Sequence, residues 1–207
     1  MTFHESGLVF NFPENWKVIK WDEHRFYGYV SGRGFKGVDF MALRNEELHL
    51  MEVKNYRDRR PQDGQHPFDL VMADPDFYAA IFLQKFADSF SLIEIIEKYY
   101  LRKRFFFWWS RQNYWGLRTL AQLSFFQKSD LIFWTRAVQI IRDQPEKVAL
   151  SVWLEPGPKI PFKKYKELKE KLLLFFKKNP ILPEGVTIAI HNANDQSLGI
   201  KVEVDSM

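Results

Sequence analysis

The sequence predicts an α/β fold, a central mixed sheet flanked by helices, on three observations. Two apolar runs, residues 38–43 and 48–53, are separated by the four polar residues Arg44 to Glu47, which reads as a β-hairpin. Residues 148–153, VALSVW, are almost continuously apolar, as a strand covered on both faces tends to be. Residues 74–96 and 161–178 repeat apolar positions at helical spacing between capping and stop signals.

A chain of 207 residues, 46% hydrophobic and 27% charged, can bury a sizeable core, so wholesale disorder is excluded and a single domain over 1–207 is expected. A net charge of +4 welcomes a phosphate-rich partner without demonstrating one. Cysteine is absent, which excludes disulfides, thiolate metal sites and cysteine nucleophiles and leaves oxygen or nitrogen ligands for any metal. The first residues lack a basic segment followed by a long apolar run, and no stretch is apolar enough to span a bilayer. A soluble cytoplasmic protein with no membrane partner is therefore expected.

Taken in order, residues 3–15 hold a brief strand or a single helical turn. Residues 16–21, WKVIKW, are β-branched and aromatic and form the first firm strand, closed by Asp22. Laid antiparallel to residues 38–43, that strand would bring Asp22 or Glu23 near Asp39. Residues 28–37 contain four of the ten glycines and form a flexible connection, from which Arg33 and Lys36 can reach a phosphate.

The hairpin carries the chemistry. With Leu43 facing Leu48, Met41 faces Leu50 and Asp39 faces Glu52. Strand alternation puts Leu48, Leu50, Glu52 and Lys54 on one face with Asp39, Met41 and Leu43. Opposed Cβ atoms lie about 4.5–5.5 Å apart and Lys54 sits on the diagonal, about 7–8 Å from Asp39. Two anions above a row of Leu and Met repel unless a cation compensates them, either Lys54 or a divalent metal, for which oxygen ligands suit Mg²⁺ and Mn²⁺. The plainer alternative, an ion cluster on a wet sheet face, sits poorly beside Leu48 and Leu50.

Beyond the hairpin, Arg57, Arg59 and Arg60 follow within a few residues, and residues 61–67 read as a loop. Asp74 as cap and Pro75 at the first position begin the helix over 74–96. In it Phe77, Ala80, Ile81, Gln84, Ala87 and Asp88 recur at helical spacing. Gln84, Lys85 and Asp88 are candidates for contacts supporting the site, with solvent their expected surroundings. Residues 98–118 interleave basic and aromatic side chains, and the five consecutive aromatics Phe105 to Trp109 are expected in a core or interface rather than on a base-stacking surface.

Residues 120–141 read as helical. In the helix over 161–178, Tyr165, Leu168, Leu172 and Phe175 form the expected buried stripe, with Lys163, Lys166, Lys169 and Lys177 outward. Residues 186–190 and 198–204 read as late strands that extend the central sheet. His191 near Asp195 is a weak metal or acid-base candidate, and no H-E-x-x-H, P-loop or nucleophile elbow is present.

Asp39, twelve intervening residues and then Glu52-Val53-Lys54 resemble the PD-(D/E)xK nuclease superfamily over one hairpin and the helix that follows. The resemblance implies a restriction-endonuclease-like αβββαβ core, here with its first helix reduced and a helical, aromatic-rich insertion around residues 98–142. It further implies Mg²⁺ (or Mn²⁺) held by Asp39, Glu52 and the carbonyl of Val53, with Asp22 a further ligand candidate. Lys54 would orient the attacking water. Arg57, Arg59 and Arg60, together with Arg33 and Lys36, are then placed to hold the phosphates of a DNA substrate. RNA stays open, because nothing in the hairpin distinguishes ribose from deoxyribose. A non-catalytic nucleic-acid-binding or protein-interaction module on the same fold is the alternative, and a homodimer is compatible with the sequence.

Overall fold

The computed structural model describes residues 1–28, 32, 34–57, 65–101, 130–179 and 181–205. The first two strands are β1 (Thr2–Glu5) and β2 (Leu8–Asn11), followed by β3 (Lys17–Lys20) and the hairpin β4 (Phe40–Arg44) and β5 (Glu47–Asn55). In the hairpin Leu43 pairs with Leu48 and Met41 with Leu50, the expected register. Its turn is tighter than expected. Arg44 and Glu47 still pair, which leaves Asn45 and Glu46 as the two central residues, at φ 47° and 67°. Left-handed backbone at both positions is what a type I′ turn requires, and its twist matches that of the flanking strands.

Among the described residues, three helices, a π-helical turn and a short 3-10 turn lie between β5 and the next strand: α1 (Pro67–Ala73), α2 (Pro75–Ile96), the π turn (Glu97–Leu101), α3 (Leu131–Asp143) and the 3-10 turn (Pro145–Lys147). Strand β6 (Val148–Glu155) then runs parallel to β5. After it, α4 (Phe162–Lys178) crosses to β7 (Thr187–His191), parallel to β6. The central sheet is thus mixed, ordered β3-β4-β5-β6-β7, with β4 antiparallel to both of its neighbours.

The late strands part company. Strand β7 joins the central sheet as expected, but β8 (Lys201–Val204) pairs with β2 in a separate antiparallel sheet ordered β1-β2-β8. Residues 3–15 accordingly supply strands rather than a helical turn, with Ser6 and Gly7 at φ 52° and 74° closing β1 onto β2. The reason is apolar coverage. Leu8, Phe10 and Val202 bury against Phe40, Met51, Val53 and Trp153 on one face of the central sheet. The other face, with Met41, Leu48, Leu50, Val152 and Leu154, lies under α2, α3 and α4. The layers are therefore small sheet, central sheet, helices.

Asp74 caps α2, its carboxylate accepting from the Phe77 N–H at 3.1 Å with Pro75 at the first position, as expected. The buried side of α2 is Ala79, Phe82, Leu83, Phe86, Ser89, Leu92, Ile93 and Ile96, whereas Phe77 is 56% exposed. In α4 the stripe runs Tyr165, Leu168, Leu172 and then Phe176 rather than Phe175, because Phe176 keeps the four-residue step from Leu172. Residues 102–129, including the aromatic run 105–109 and the start of the helix expected over 120–141, lie outside the described residues. Among the described residues no helix is long and apolar enough to cross a membrane.

Candidate active site

The segment leading into β4 is pinned from both sides. Gly37 passes so close to Trp21 that a Cβ there would lie 2.8 Å from its indole, which only glycine tolerates without a shift. The Trp21 N–H donates to the Asp39 carbonyl at 2.8 Å. From the helix side, the Val38 N–H donates to the Ser89 hydroxyl at 3.0 Å, and that hydroxyl donates to the Lys85 carbonyl at 2.8 Å. The Lys36 N–H donates to Asp88 at 2.9 Å. Residues three and four apart share a helix face, so the turn that holds Asp88 and Ser89 against this segment also aims Lys85 toward it.

On β5, alternation sends Glu52 and Lys54 to the helix-covered face. Glu52 is fully buried, and its Oε1 accepts from Lys54 Nζ at 2.5 Å and from Lys85 Nζ at 2.6 Å. The Lys54 ammonium also lies 3.3 Å from the Val53 carbonyl oxygen. Asp39, one residue before β4, accepts from the Val53 N–H at 2.6 Å through Oδ2. Asp39, Glu52, Val53 and Lys54 are thus brought together around one peptide unit.

Burying a carboxylate costs several kcal/mol unless opposite charge and hydrogen bonds compensate it. Here two ammonium groups face two acids, and the cluster balances when all four are ionised. Burial, and then the Glu52 charge, push the Asp39 carboxyl up to about 6 against the opposing pull of Lys85 and Lys54. Burial works to lower Lys85, but Glu52 and Asp39 outweigh it and hold the ammonium above its usual range. Glu52 Oε2 is buried with no hydrogen-bond partner among the described residues.

That orphaned oxygen, the Asp39 carboxylate and the Val53 carbonyl are oxygen ligands of the kind hard divalent cations take. Among the described residues no three Asp, Glu or His side chains group around one point. A bound Mg²⁺ would therefore draw on the carbonyl and on water or phosphate oxygens for its remaining positions, which is its usual habit.

Of the other predicted residues, those described make no contact with Glu52. The Asp22 carboxylate is 3.8 Å from Lys20 Nζ, an ammonium it shares with Glu23 at 2.9 Å and Glu5 at 3.5 Å. Lys20 pairs with Phe40 on the ladder and so belongs to the small-sheet face, opposite to Glu52. Lys36 is exposed. Arg57 is also exposed, with its N–H donating to the Asn55 side chain at 2.9 Å. Arg33, Arg59 and Arg60 lie outside the described residues.

Lys85, a candidate for a supporting contact whose expected surroundings were solvent, sits on Glu52. Its signal was its position three residues after Phe82 and four before Ser89, both buried. His191 does meet Asp195, at 2.8 Å, and bonds from Ser197 and His191 outweigh burial to bring Asp195 down to about 2. The imidazole stacks on Trp153 on the small-sheet face, however, away from Glu52. His49 on that face is held down to about 4 by burial and then by Arg44, a neutral core imidazole.

Comparison with family models, with characterised proteins and with solved structures gives no match.

Proposed function

We propose that the chain is a metal-dependent nuclease that hydrolyses phosphodiester bonds in DNA, built on a restriction-endonuclease-like PD-(D/E)xK core. The observation that carries this reading is the convergence of Asp39, Glu52 and Lys54 on the Val53 peptide, at the spacing and register of the motif. The order of three antiparallel strands, helices and a parallel strand supports the same core. The small sheet covers the face of the central sheet opposite the helices.

Asp39, Glu52 and the Val53 carbonyl would hold Mg²⁺ or Mn²⁺, which supplies charge neutralisation at the phosphate and a water of lowered pKa. The remaining work falls to the chain. Lys54, paired with Glu52 at 2.5 Å, would hold the attacking water and offer an ammonium to the charge that develops on phosphorus-bound oxygen. Lys85 holds Glu52 in place from the helix. Arg57 and Lys36, with Arg33, Arg59 and Arg60, would bind the flanking phosphates, where charge-assisted bonds position the strand without reading sequence.

The test is cleavage of plasmid DNA by the purified chain with Mg²⁺ or Mn²⁺, compared with Lys54→Ala. The reading expects cutting that disappears in the variant while the circular dichroism spectrum is retained. Unchanged cutting in the variant, or none with either metal, would sink it.

One observation favours a second reading, a non-catalytic nucleic-acid-binding or protein-interaction module on the same fold. Two lysines already compensate Glu52, so the buried acid is satisfied on one oxygen without metal. Calorimetry separates the two: the enzyme binds Mn²⁺ and loses that binding in Asp39→Asn, whereas the module binds its partner in EDTA and ignores Mn²⁺.

A further inference from the structure

The site above uses one face of β5, but the carboxyl ends of β5, β6 and β7 also frame a cavity of about 440 Å³. Small-ligand sites span roughly 300–1,000 Å³, and the carboxyl edge of parallel strands is where α/β sheets bind ligands. Gly157, at φ 87°, floors it. A Cβ there would lie 2.8 Å from the Arg57 Cα, so the loop after β6 is pressed against the end of β5.

Three side chains in the lining describe an occupant. Tyr165 is 5% exposed, and its hydroxyl has no hydrogen-bond partner among the described residues although the residue lines the cavity. Burial, with Asp195 and Glu155 nearby, holds the phenol far above its usual range, so it remains a donor. Phe162 opens α4 with its ring 74% exposed. Arg57 holds no ion pair among the described residues. Glu155, the carboxylate in the lining, has one oxygen turned to the Gly157 N–H at 3.3 Å and the other to the Ala193 N–H at 3.2 Å. An anion for the guanidinium, a flat ring for Phe162 and an acceptor for the phenol together specify a nucleotide.

We infer that this cavity is a nucleotide subsite in which Arg57 takes a phosphate, Phe162 stacks on the base and Tyr165 donates to a base or sugar acceptor. The inference rests on the nuclease reading for its occupant, the nucleotide next to the bond being cut. Arg57 follows Lys54 by three residues, roughly 10 Å of extended chain, so one strand of DNA can meet both. A free mononucleotide offers the same chemistry.

The test titrates the full chain in EDTA, where nothing is cut, with a deoxymononucleotide and with a short single-stranded oligodeoxynucleotide. Phe162→Ala and Tyr165→Phe are compared with the wild type, and thermal melting monitors the fold. The expected result is oligonucleotide binding weakened about ten-fold or more by Phe162→Ala, in line with the loss of one stacked base, and several-fold by Tyr165→Phe. Mononucleotide binding with the same sensitivity assigns a free nucleotide as the occupant, and binding of the oligonucleotide alone assigns a unit of the strand. Affinity unchanged in both variants, or no binding of either probe, overturns the subsite. Cleavage that needs Lys54 while both variants bind normally would sink the subsite and spare the nuclease. Variant-sensitive binding by a chain that cuts nothing would do the reverse.

Discussion

Lys54 on β5 and Lys85 on α2 meet on a single oxygen of Glu52, at 2.5 and 2.6 Å. One lysine comes from the same strand, two residues on, and the other from a helix thirty-three residues away. The pair orients a fully buried carboxylate and leaves its second oxygen without a partner among the described residues. A sheet built only for stability is better served by an apolar residue at that position, because burying an acid costs more than burying a Leu.

Lys85→Met tests the helix half of this clamp. Removing one of two cations from a buried acid should destabilise the chain by about 1–3 kcal/mol, less than the loss of a sole partner because Lys54 remains. In urea melts the double variant Glu52→Gln/Lys85→Met should recover part of that loss. Fully additive effects would show that Lys85 and Glu52 do not interact.

Asp39→Asn should raise stability. A carboxyl lifted from 3.8 to about 6 binds a proton more readily folded than unfolded. Its stabilising contribution is therefore complete below pH 3.8 and is lost as pH rises through 6. At pH 8 the ionised acid costs up to about 3 kcal/mol, so the variant should be more stable there by about 1–3 kcal/mol. The advantage should vanish by pH 4. A variant less stable than the wild type at pH 8 would contradict the strained acid.

Glu46→Gly should also stabilise. Glu46 stands at φ 67° in the hairpin turn, a conformation in which glycine has no Cβ penalty. Its ion pairs with Arg136 at 3.4 Å and Lys147 at 4.0 Å are half-exposed and worth little. A gain of about 0.5–1 kcal/mol in chemical denaturation is expected, and a loss would show that those pairs hold the hairpin.

What was legible in the sequence follows the range of the interactions. Leu43, Leu48, Met41 and Leu50 set the hairpin register through a pattern contained in a dozen residues; the ladder ends at Phe40 and Met51, and Asp39, one residue further, bonds to the Val53 N–H instead of pairing with Glu52. The Asp74 cap and the α4 stripe are equally local. Lys85 was legible only as one of three candidates for a supporting contact, with solvent its expected surroundings. Phe77 and Ile81 drew the apolar face of α2 to the wrong side, and only the bonds to Val38 and Lys36 show which way the helix is turned. Strand β8 looked like one more strand of the central sheet, because no feature of residues 201–204 says that β2, nearly two hundred residues earlier, is its partner. The turn was read as four residues because Arg44 and Glu47 are polar, yet both lie on the ladder.

The most direct measurement is anomalous diffraction from crystals soaked in Mn²⁺. The account predicts a peak bonded to Glu52 Oε2, an Asp39 oxygen and the Val53 carbonyl, absent from Asp39→Asn crystals soaked in the same way. A fully occupied Mn²⁺ elsewhere on the chain, with Lys54 and Lys85 still closed on Glu52 and nothing at Oε2, would contradict it.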